Sequence, residues 1–155
     1  MDQGGYFRPI YSSVVEKNLK DMHKEFPESW WEDIPEFMLI GKGKNGGGKD
    51  NSLNKYKVKC GGDLYMWESS GWIVEQDPYG WVHWYCKFFA GRRSEDDERQ
   101  IGRWKNLTGP KGRFKTNLLN KIKAAGGSVD NPEVSPVIRQ VLQHWGYQVT
   151  NEDVK

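Results

Sequence analysis

Clustered positive charge is the feature of this sequence best suited to chemistry. Residues 78–125 contain eleven Lys and Arg against four Asp and Glu, a net charge of +7, whereas the remainder carries twelve basic and seventeen acidic residues. Cations near a helix start can bind a phosphate together with the free N–H groups of that helix. We therefore predict a nucleic-acid-binding module with a basic helical face. The side chains predicted to contact phosphates are Arg92, Arg93, Arg103, Lys105, Lys111, Arg113 and Lys115.

The same charges also fit a simpler interpretation, a helix face that is only solvated. Glu95 lies four residues before Arg99, a spacing at which opposite charges pair on a helix. The acidic residues 96–98 can neutralise Arg92 and Arg93. The isoelectric point of about 8.4 also lies below the strongly basic range of dedicated nucleic-acid-binding domains. Both interpretations stay open at the level of the sequence.

Two phosphate-binding patterns overlap in a glycine-rich stretch. Residues 41–46 read G-x-G-x-x-G, and residues 43–49 read G-x-x-x-x-G-K. Both patterns need a strand before them and a helix directly after, because the phosphate binds at the N-terminus of that helix. Residues 50–54 are a poor helix start, and Asp50 stands where the second pattern needs Ser or Thr. We therefore interpret residues 41–53 as a flexible Gly/Lys loop and predict no nucleotide cofactor.

The histidines and cysteines do not match a metal-binding or catalytic motif. His23, His83 and His144 fall on three separate predicted helices. Cys60 and Cys86 are too few and too far apart for a disulfide framework or a zinc site. We expect His83 to be a hydrogen-bonded core residue and Cys86 to be a small buried hydrophobe. The sequence predicts no metal and no cofactor.

Two further functional classes fit the tryptophan content, which is eight residues in 155. A protein-interaction module could use the acidic N-terminal arm, which carries Trp30 and Trp31. A small enzyme could use a Trp-lined pocket with one of the carboxylates that flank Trp72. No nucleophile elbow or H-E-x-x-H motif is present. Whether the protein is an enzyme is therefore left open.

Helix start and stop signals predict an all-α fold. Ser, Asp or Gly at an N-cap position, and Pro at the first helical position, mark the starts. The positions with such signals are Ser13, Asp63, Pro78, Ser94, Pro110 and Pro136. The first predicted helix begins with a capping box, Ser13 to Glu16, and ends at Pro27. We expect a compact bundle of about five or six short helices, with minor β structure near residues 54–60.

The helix predicted over residues 78–90 is apolar on nearly all sides, which places it at the centre of the core. The large aromatic residues predicted to be mostly buried and in mutual contact are Trp81, Trp84, Phe88, Trp104 and Trp145.

Composition divides the chain into a helical arm at 1–40, the glycine-rich loop at 41–53 and a helical core domain at 54–150. No stretch approaches the roughly 18 apolar residues that a membrane span needs. The first residues have neither the basic nor the apolar region of a secretory signal. We expect no membrane partner and an intracellular location, cytoplasmic or nuclear.

One stretch of the sequence carries a resemblance. Residues 71–104 contain the string GWI-x3-DPYGW-x2-WYC-x-FF-x-GRR-x2-DDERQI-x-RW. This string resembles an uncharacterised domain of fungal proteins and of proteins from large algal DNA viruses. The resemblance extends from about Lys55 to Gly109, and more loosely through the helix at Pro136, whereas residues 1–50 lie outside it. It implies no activity, so no catalytic residue is assigned from it.

Overall fold

The computed structural model describes residues 5–41 and 51–155, and their fold is mainly helical, as the sequence predicts. Contacts between Cα atoms group the chain into two compact units. Unit 1 comprises Met1–Asn54, of which residues 5–41 and 51–54 are described, and Gly62–Arg93. Unit 2 comprises Lys55–Gly61 and Ser94–Lys155. The division into an arm, a loop and a core stays a prediction, and the glycine-rich patterns after Gly41 lie outside the described residues.

Unit 1 begins with a small antiparallel sheet in which Ile10 lies opposite Leu19. Its strands are β1 (Ile10–Ser12) and β2 (Lys17–Leu19). Short 3-10 helices follow at Met22–Glu25, Glu28–Trp30 and Asn51–Leu53. The α-helices of this unit are α1 (Glu36–Ile40), α2 (Leu64–Ser69) and α3 (Trp81–Phe89). Asp63 caps α2 as predicted, because its carboxylate accepts a hydrogen bond from the backbone N–H of Met66 at 2.8 Å.

Unit 2 contains the remaining α-helices. They are α4 (Asp97–Thr108), α5 (Arg113–Ala124), α6 (Pro136–His144) and α7 (Asn151–Val154). Helix α5 packs against α4, α6 and α7. A capping box begins α7, with Thr150 and Asp153 bonding each other's side chain and backbone. Among the described residues, none of the helices combines the length and the apolar composition required to span a bilayer.

The helix predicted from Ser13 to Pro27 is wrong, because the β1–β2 hairpin occupies its first part. Glu16 adopts a left-handed conformation with φ of 54°, which turns the chain between the strands. The Ser13 hydroxyl donates to the carboxylate of Glu68 at 2.6 Å and therefore does not cap a helix. The minor β structure predicted near residues 54–60 is wrong as well. No strand forms there, and Lys57 is left-handed with φ of 53°.

The three prolines do not all begin helices. Pro136 is in the first turn of α6, as predicted. Pro78 and Pro110 instead lie in turns that precede helices beginning at Trp81 and Arg113. The turn before α5 is tight: a Cβ atom at Gly112 would lie 2.5 Å from the carbonyl of Leu107. Only glycine permits this approach of the turn to the last residues of α4.

The core of unit 1 is built mainly from aromatic rings. Its buried members are Phe7, Phe26, Leu39, Tyr79 and Cys86. The Phe7 ring lies 5.5 Å from Tyr79 and 5.9 Å from His83, which is itself buried as predicted. Burial raises the pKa of the Cys86 thiol to about 11.

The aromatic core predicted on α3 is only partly confirmed. Trp84 is 2% exposed, and its ring stacks on Trp81 with centres 5.2 Å apart and contacts the tilted ring of Phe88 at 4.9 Å. The other face of α3 is not buried, because Tyr85 and Phe89 are exposed. One face of α3 is therefore buried and the other is exposed to solvent, although its sequence is apolar on nearly all sides.

The core of unit 2 is aliphatic. Its buried members are Leu118, Ile122, Val129, Leu142 and Val149. Trp104 and Trp145 are half-buried, and the indole N–H of Trp104 donates to the backbone carbonyl of Trp145 at 3.1 Å. The predicted contact between these two tryptophans is therefore present.

Replacing Trp84 by Ala should lower the free energy of unfolding by about 3–5 kcal/mol, because a large buried ring is removed from a packed site. Chemical denaturation monitored by circular dichroism measures the change. Tyr65, which is 78% exposed, provides the control. Tyr65→Ala should change stability by less than about 0.5 kcal/mol. Equal effects of the two substitutions would contradict the packing described for Trp84.

Candidate nucleic-acid interface

Helix α5 is the most basic element of unit 2. Leu118 and Ile122 on its inner face are at most 1% exposed and hold it in the core. Its sequence, RFKTNLLNKIKA, contains four cations and no carboxylate. The outward positions are polar or small. They are Arg113, Thr116, Asn117, Asn120, Lys121, Lys123 and Ala124, all exposed.

Two more predicted cations lie close to α5 in the chain. Lys105 is in the last turn of α4, and Lys111 is in the four-residue turn between α4 and α5; both are exposed. Arg113 begins α5, and its guanidinium carbon lies 5.1 Å from the centre of the Phe114 ring. The structure thus places Lys105, Lys111 and Arg113 at the surface around one connection.

Lys115 is held by an acidic partner. Its ammonium nitrogen lies 2.7 Å from the Asp153 carboxylate and 4.7 Å from the centre of the Tyr147 ring. The Lys115 and Asp153 side chains are 17% and 16% exposed, so the ion pair is largely shielded from water. This contact holds α7 against α5 and therefore stabilises unit 2.

The pKa shifts of this pair follow from the contact. Burial alone would raise the pKa of Asp153, but Lys115 and the backbone N–H and hydroxyl of Thr150 hold it well below its usual range. The bond to Asp153 raises the pKa of Lys115, and burial opposes that shift. Both groups are therefore charged over the neutral pH range.

Arg92 also has an internal partner, the carboxylate of Asp77, which is completely buried. The guanidinium binds both carboxylate oxygens, one of them at 2.7 Å. Lys87 adds a second positive charge at 3.4 Å from the same carboxylate. Arg92 was predicted as a phosphate contact; instead its pair with Asp77 fixes the two ends of α3 to each other.

The last two predicted cations lie in different units. Arg93, in unit 1, donates to the backbone carbonyls of Phe88 and Arg92, and its guanidinium carbon is 3.9 Å from the centre of the Phe88 ring. Arg103, in unit 2, donates to Gln100 at 3.1 Å and lies 5.1 Å from the centre of the Trp145 ring. Arg93 is exposed, and Arg103 is half-buried.

The sequence suggested that Arg99 and Arg92 are neutralised by nearby carboxylates, and the structure gives each an acidic partner. Arg99 binds Asp96. Arg92 binds Asp77, fifteen residues earlier in the chain. Lys121 and Lys123 were not among the predicted site residues. The signal for Lys121 was its spacing of eight residues from Arg113, which puts the two on one face of a helix.

The buried histidine of unit 1 is paired with a carboxylate. His83 Nε2 lies 3.0 Å from the carboxylate of Glu25, which also has Lys87 at 3.5 Å. Burial lowers the pKa of His83, and the bond to Glu25 opposes that shift. In the described ranges, 5–41 and 51–155, no cluster of three or more His, Cys, Asp or Glu side chains could hold a metal ion.

No protein-family model, no curated protein and no solved structure matches this chain. The resemblance of residues 71–104 to a fungal and viral domain therefore stays an expectation.

Asp77→Asn should lower the free energy of unfolding by about 3–5 kcal/mol, because it leaves Arg92 and Lys87 beside a buried neutral group. Adding Arg92→Met should cost less than the sum of the two single substitutions, since the pair is coupled. Urea denaturation of the parent, the two single variants and the double variant measures this double-mutant cycle. Asp21→Asn removes an exposed ion pair with Lys24 and should cost less than about 1 kcal/mol. Additive effects at Asp77 and Arg92 would contradict a functional ion pair between them.

Asp153→Asn should remove an acid-sensitive part of the stability. Because the folded state lowers the pKa of Asp153 below its ordinary 3.8, the carboxylate stabilises the fold above that pH and loses its contribution as the pH falls. The stability difference between the parent and Asp153→Asn should therefore be largest near neutral pH and shrink below about pH 4. Thermal unfolding across pH measures it. Glu152→Gln removes an exposed ion pair with Lys155 and should have the same stability as the parent at every pH. A stability difference between the parent and Asp153→Asn that does not change with pH would contradict the lowered pKa of Asp153.

Proposed function

We propose that unit 2 binds nucleic acid through phosphate contacts from α5 and the turn before it. The observation that carries the proposal is the outer face of α5, where Arg113, Lys121 and Lys123 are exposed and no carboxylate is present. Lys105 and Lys111 extend this positive surface. We call these five residues the basic surface. Arg92 and Lys115 are not part of it because each already binds a carboxylate.

The overall charge of unit 2 supports the proposal. It contains thirteen Lys and Arg against eight Asp and Glu, a net charge of +5, whereas unit 1 has ten against thirteen, a net charge of −3. The two values add to the +2 of the whole chain. A concentration of positive charge attracts polyanions and increases the rate of association with them.

The start of α5 suits an anion for a second reason. The N-terminus of a helix carries a partial positive charge, so a cation there is unfavourable unless an anion binds nearby. Arg113 is the first residue of α5, and the first turn contains no acidic residue. The free backbone N–H groups of that turn, together with Arg113 and Lys111, could hold one phosphate.

The connection before α5 is also consistent with nucleic-acid binding. Helices α4 and α5 pack against each other and are joined by four residues that include Gly109 and Gly112. This length and glycine content are typical of helix-turn-helix pairs, in which the second helix contacts DNA. Thr116, Asn117 and Asn120 are poor helix formers, yet they occupy exposed positions of α5 where packing does not require them. Their amides and hydroxyl can bond to phosphates or base edges.

The direct test is fluorescence anisotropy with labelled duplex and single-stranded oligonucleotides over a series of salt concentrations. On duplex DNA each phosphate contact contributes about −0.9 to the slope of log K against log salt, so Arg113→Ala with Lys121→Ala should reduce the slope by about two units. All sequences should be weakened alike, because phosphate contacts carry no base information.

The matched control is Lys17→Ala with Lys20→Ala, which removes the same charge from exposed positions of unit 1. It should leave the slope unchanged if the basic surface is the site. No binding at low salt by folded, monodisperse protein would rule out the proposal. Equal effects of the two double variants would show that net charge alone, and not this surface, causes the binding.

A further inference from the structure

A row of aromatic side chains lies along the outer face of α3. Trp81, Tyr85 and Phe89 are four residues apart, which places them on one side of the helix. Neighbouring rings in the row are in contact, with centres 5.8 Å and 6.3 Å apart. The Trp30 ring meets Phe89 edge to face at 5.5 Å. We call these four residues the aromatic stripe.

The stripe is accessible to a partner. Phe89 is 68% exposed and Tyr85 is 48% exposed, whereas Trp30 and Trp81 are half-buried and support the row from its two ends. The opposite face of α3 carries the residues that pack into the interior, including His83 and Cys86. Phe89 and Tyr85 are therefore not needed to hold α3 in place. Exposed apolar side chains that form a contiguous row indicate an interaction surface.

The shape of the stripe suits one helix. From Trp81 to Phe89 the row spans eight residues, or about 12 Å along the axis. A partner helix of two to three turns covers that length with apolar side chains spaced three or four residues apart. Aromatic rings held against one another lose little conformational entropy on binding, because each ring is already positioned by its neighbours.

The charges beside the stripe define the partner further. Residues 28–36, which include Trp30, contain four carboxylates and no Lys or Arg. Glu28, Glu32, Asp33 and Glu36 are all exposed. Two cations lie nearest to Phe89 in sequence, Lys87 and Arg92, and both bind the carboxylate of Asp77. Arg93, four residues after Phe89, lies over the Phe88 ring and bonds to two backbone carbonyls. The chain segment that carries Trp30 is therefore acidic.

We propose that the aromatic stripe binds a basic amphipathic helix of a partner protein. Its apolar face covers Tyr85 and Phe89, and its Lys and Arg side chains meet the carboxylates of residues 28–36. Complementary charge steers association and selects the orientation, while the aromatic contacts supply most of the affinity. Nucleic acid does not fit this site, because the same carboxylates repel phosphates. The proposal concerns unit 1 and does not depend on binding by the basic surface of unit 2.

The test uses the full chain and two synthetic 18-residue helical peptides. Both have leucines along one face; the basic peptide has Lys and Arg elsewhere, and the acidic peptide has Glu at the same positions. Fluorescence anisotropy should show micromolar binding of the basic peptide and at least about tenfold weaker binding of the acidic one. Phe89→Ala should weaken binding of the basic peptide by about tenfold or more, as loss of a central aromatic anchor does.

Two further variants separate the contributions. Tyr65→Ala removes a 78% exposed aromatic residue outside the stripe and should leave the affinity unchanged. Replacing Glu28, Glu32 and Asp33 by their amides should weaken binding and flatten its salt dependence. The proposal is overturned by any of four results: no binding up to about 100 μM peptide, equal binding of the two peptides, an unchanged affinity for Phe89→Ala, or self-association of the chain that Phe89→Ala abolishes.

Discussion

The carboxylate of Asp77 is completely buried, and a charge in that position is tolerated only when it is paired and hydrogen-bonded. Lys87, in the last turn of α3, and Arg92, just beyond it, supply the two positive charges. The backbone carbonyl of Asp77 accepts from the N–H of Gly80, which directly precedes α3. One residue therefore determines where α3 begins and ties that point to the region where it ends. The position of His83 on one face of α3 and of the aromatic stripe on the other follows from this arrangement.

In unit 2 an ion pair holds a short helix in place. The contact of Lys115 with Asp153 holds a helix of only four residues against α5, where aliphatic packing alone gives α7 little to bury. Side chains of α5 therefore differ in role. Leu118 and Ile122 fill the core, and Lys115 holds α7. The outer cations, Arg113, Lys121 and Lys123, are exposed and do neither. Basic residues that are close in sequence can thus differ completely in what they are available to bind.

Capping residues and hydrophobic periodicity were sufficient to predict those helices whose start or buried face depends only on their own residues. The bond that caps α2 at Asp63, the first-turn proline of α6 and the amphipathic pattern of α5 are of this kind. The hairpin at residues 10–19 was missed because its stability depends on contacts distant in sequence, such as the bond between Ser13 and Glu68, and on a left-handed Glu16. A capping-box pattern cannot reveal that its serine has a partner 55 residues away.

The candidate site shows the same limit. Exposure of Lys105, Lys111 and Arg113 was predictable from helix periodicity and turn composition. The internal roles of Arg92 and Lys115 were not, because their carboxylate partners lie 15 and 38 residues away along the chain. The exposed side of α3 was equally hidden, since its sequence is apolar on both faces. In each case the missing information was which side chains are in contact with one another, and only the tertiary structure contains it.

Burial of the Cys86 thiol makes it an internal reporter of unfolding. Alkylating reagents and oxidants react with the thiolate, and burial raises the pKa of Cys86 to about 11, which keeps the thiol protonated at neutral pH. The ring-lined core also excludes reagents physically, so modification of Cys86 has to wait until unit 1 opens. The rate at which a thiol-reactive dye labels this residue therefore measures how often the aromatic core of unit 1 comes apart under native conditions.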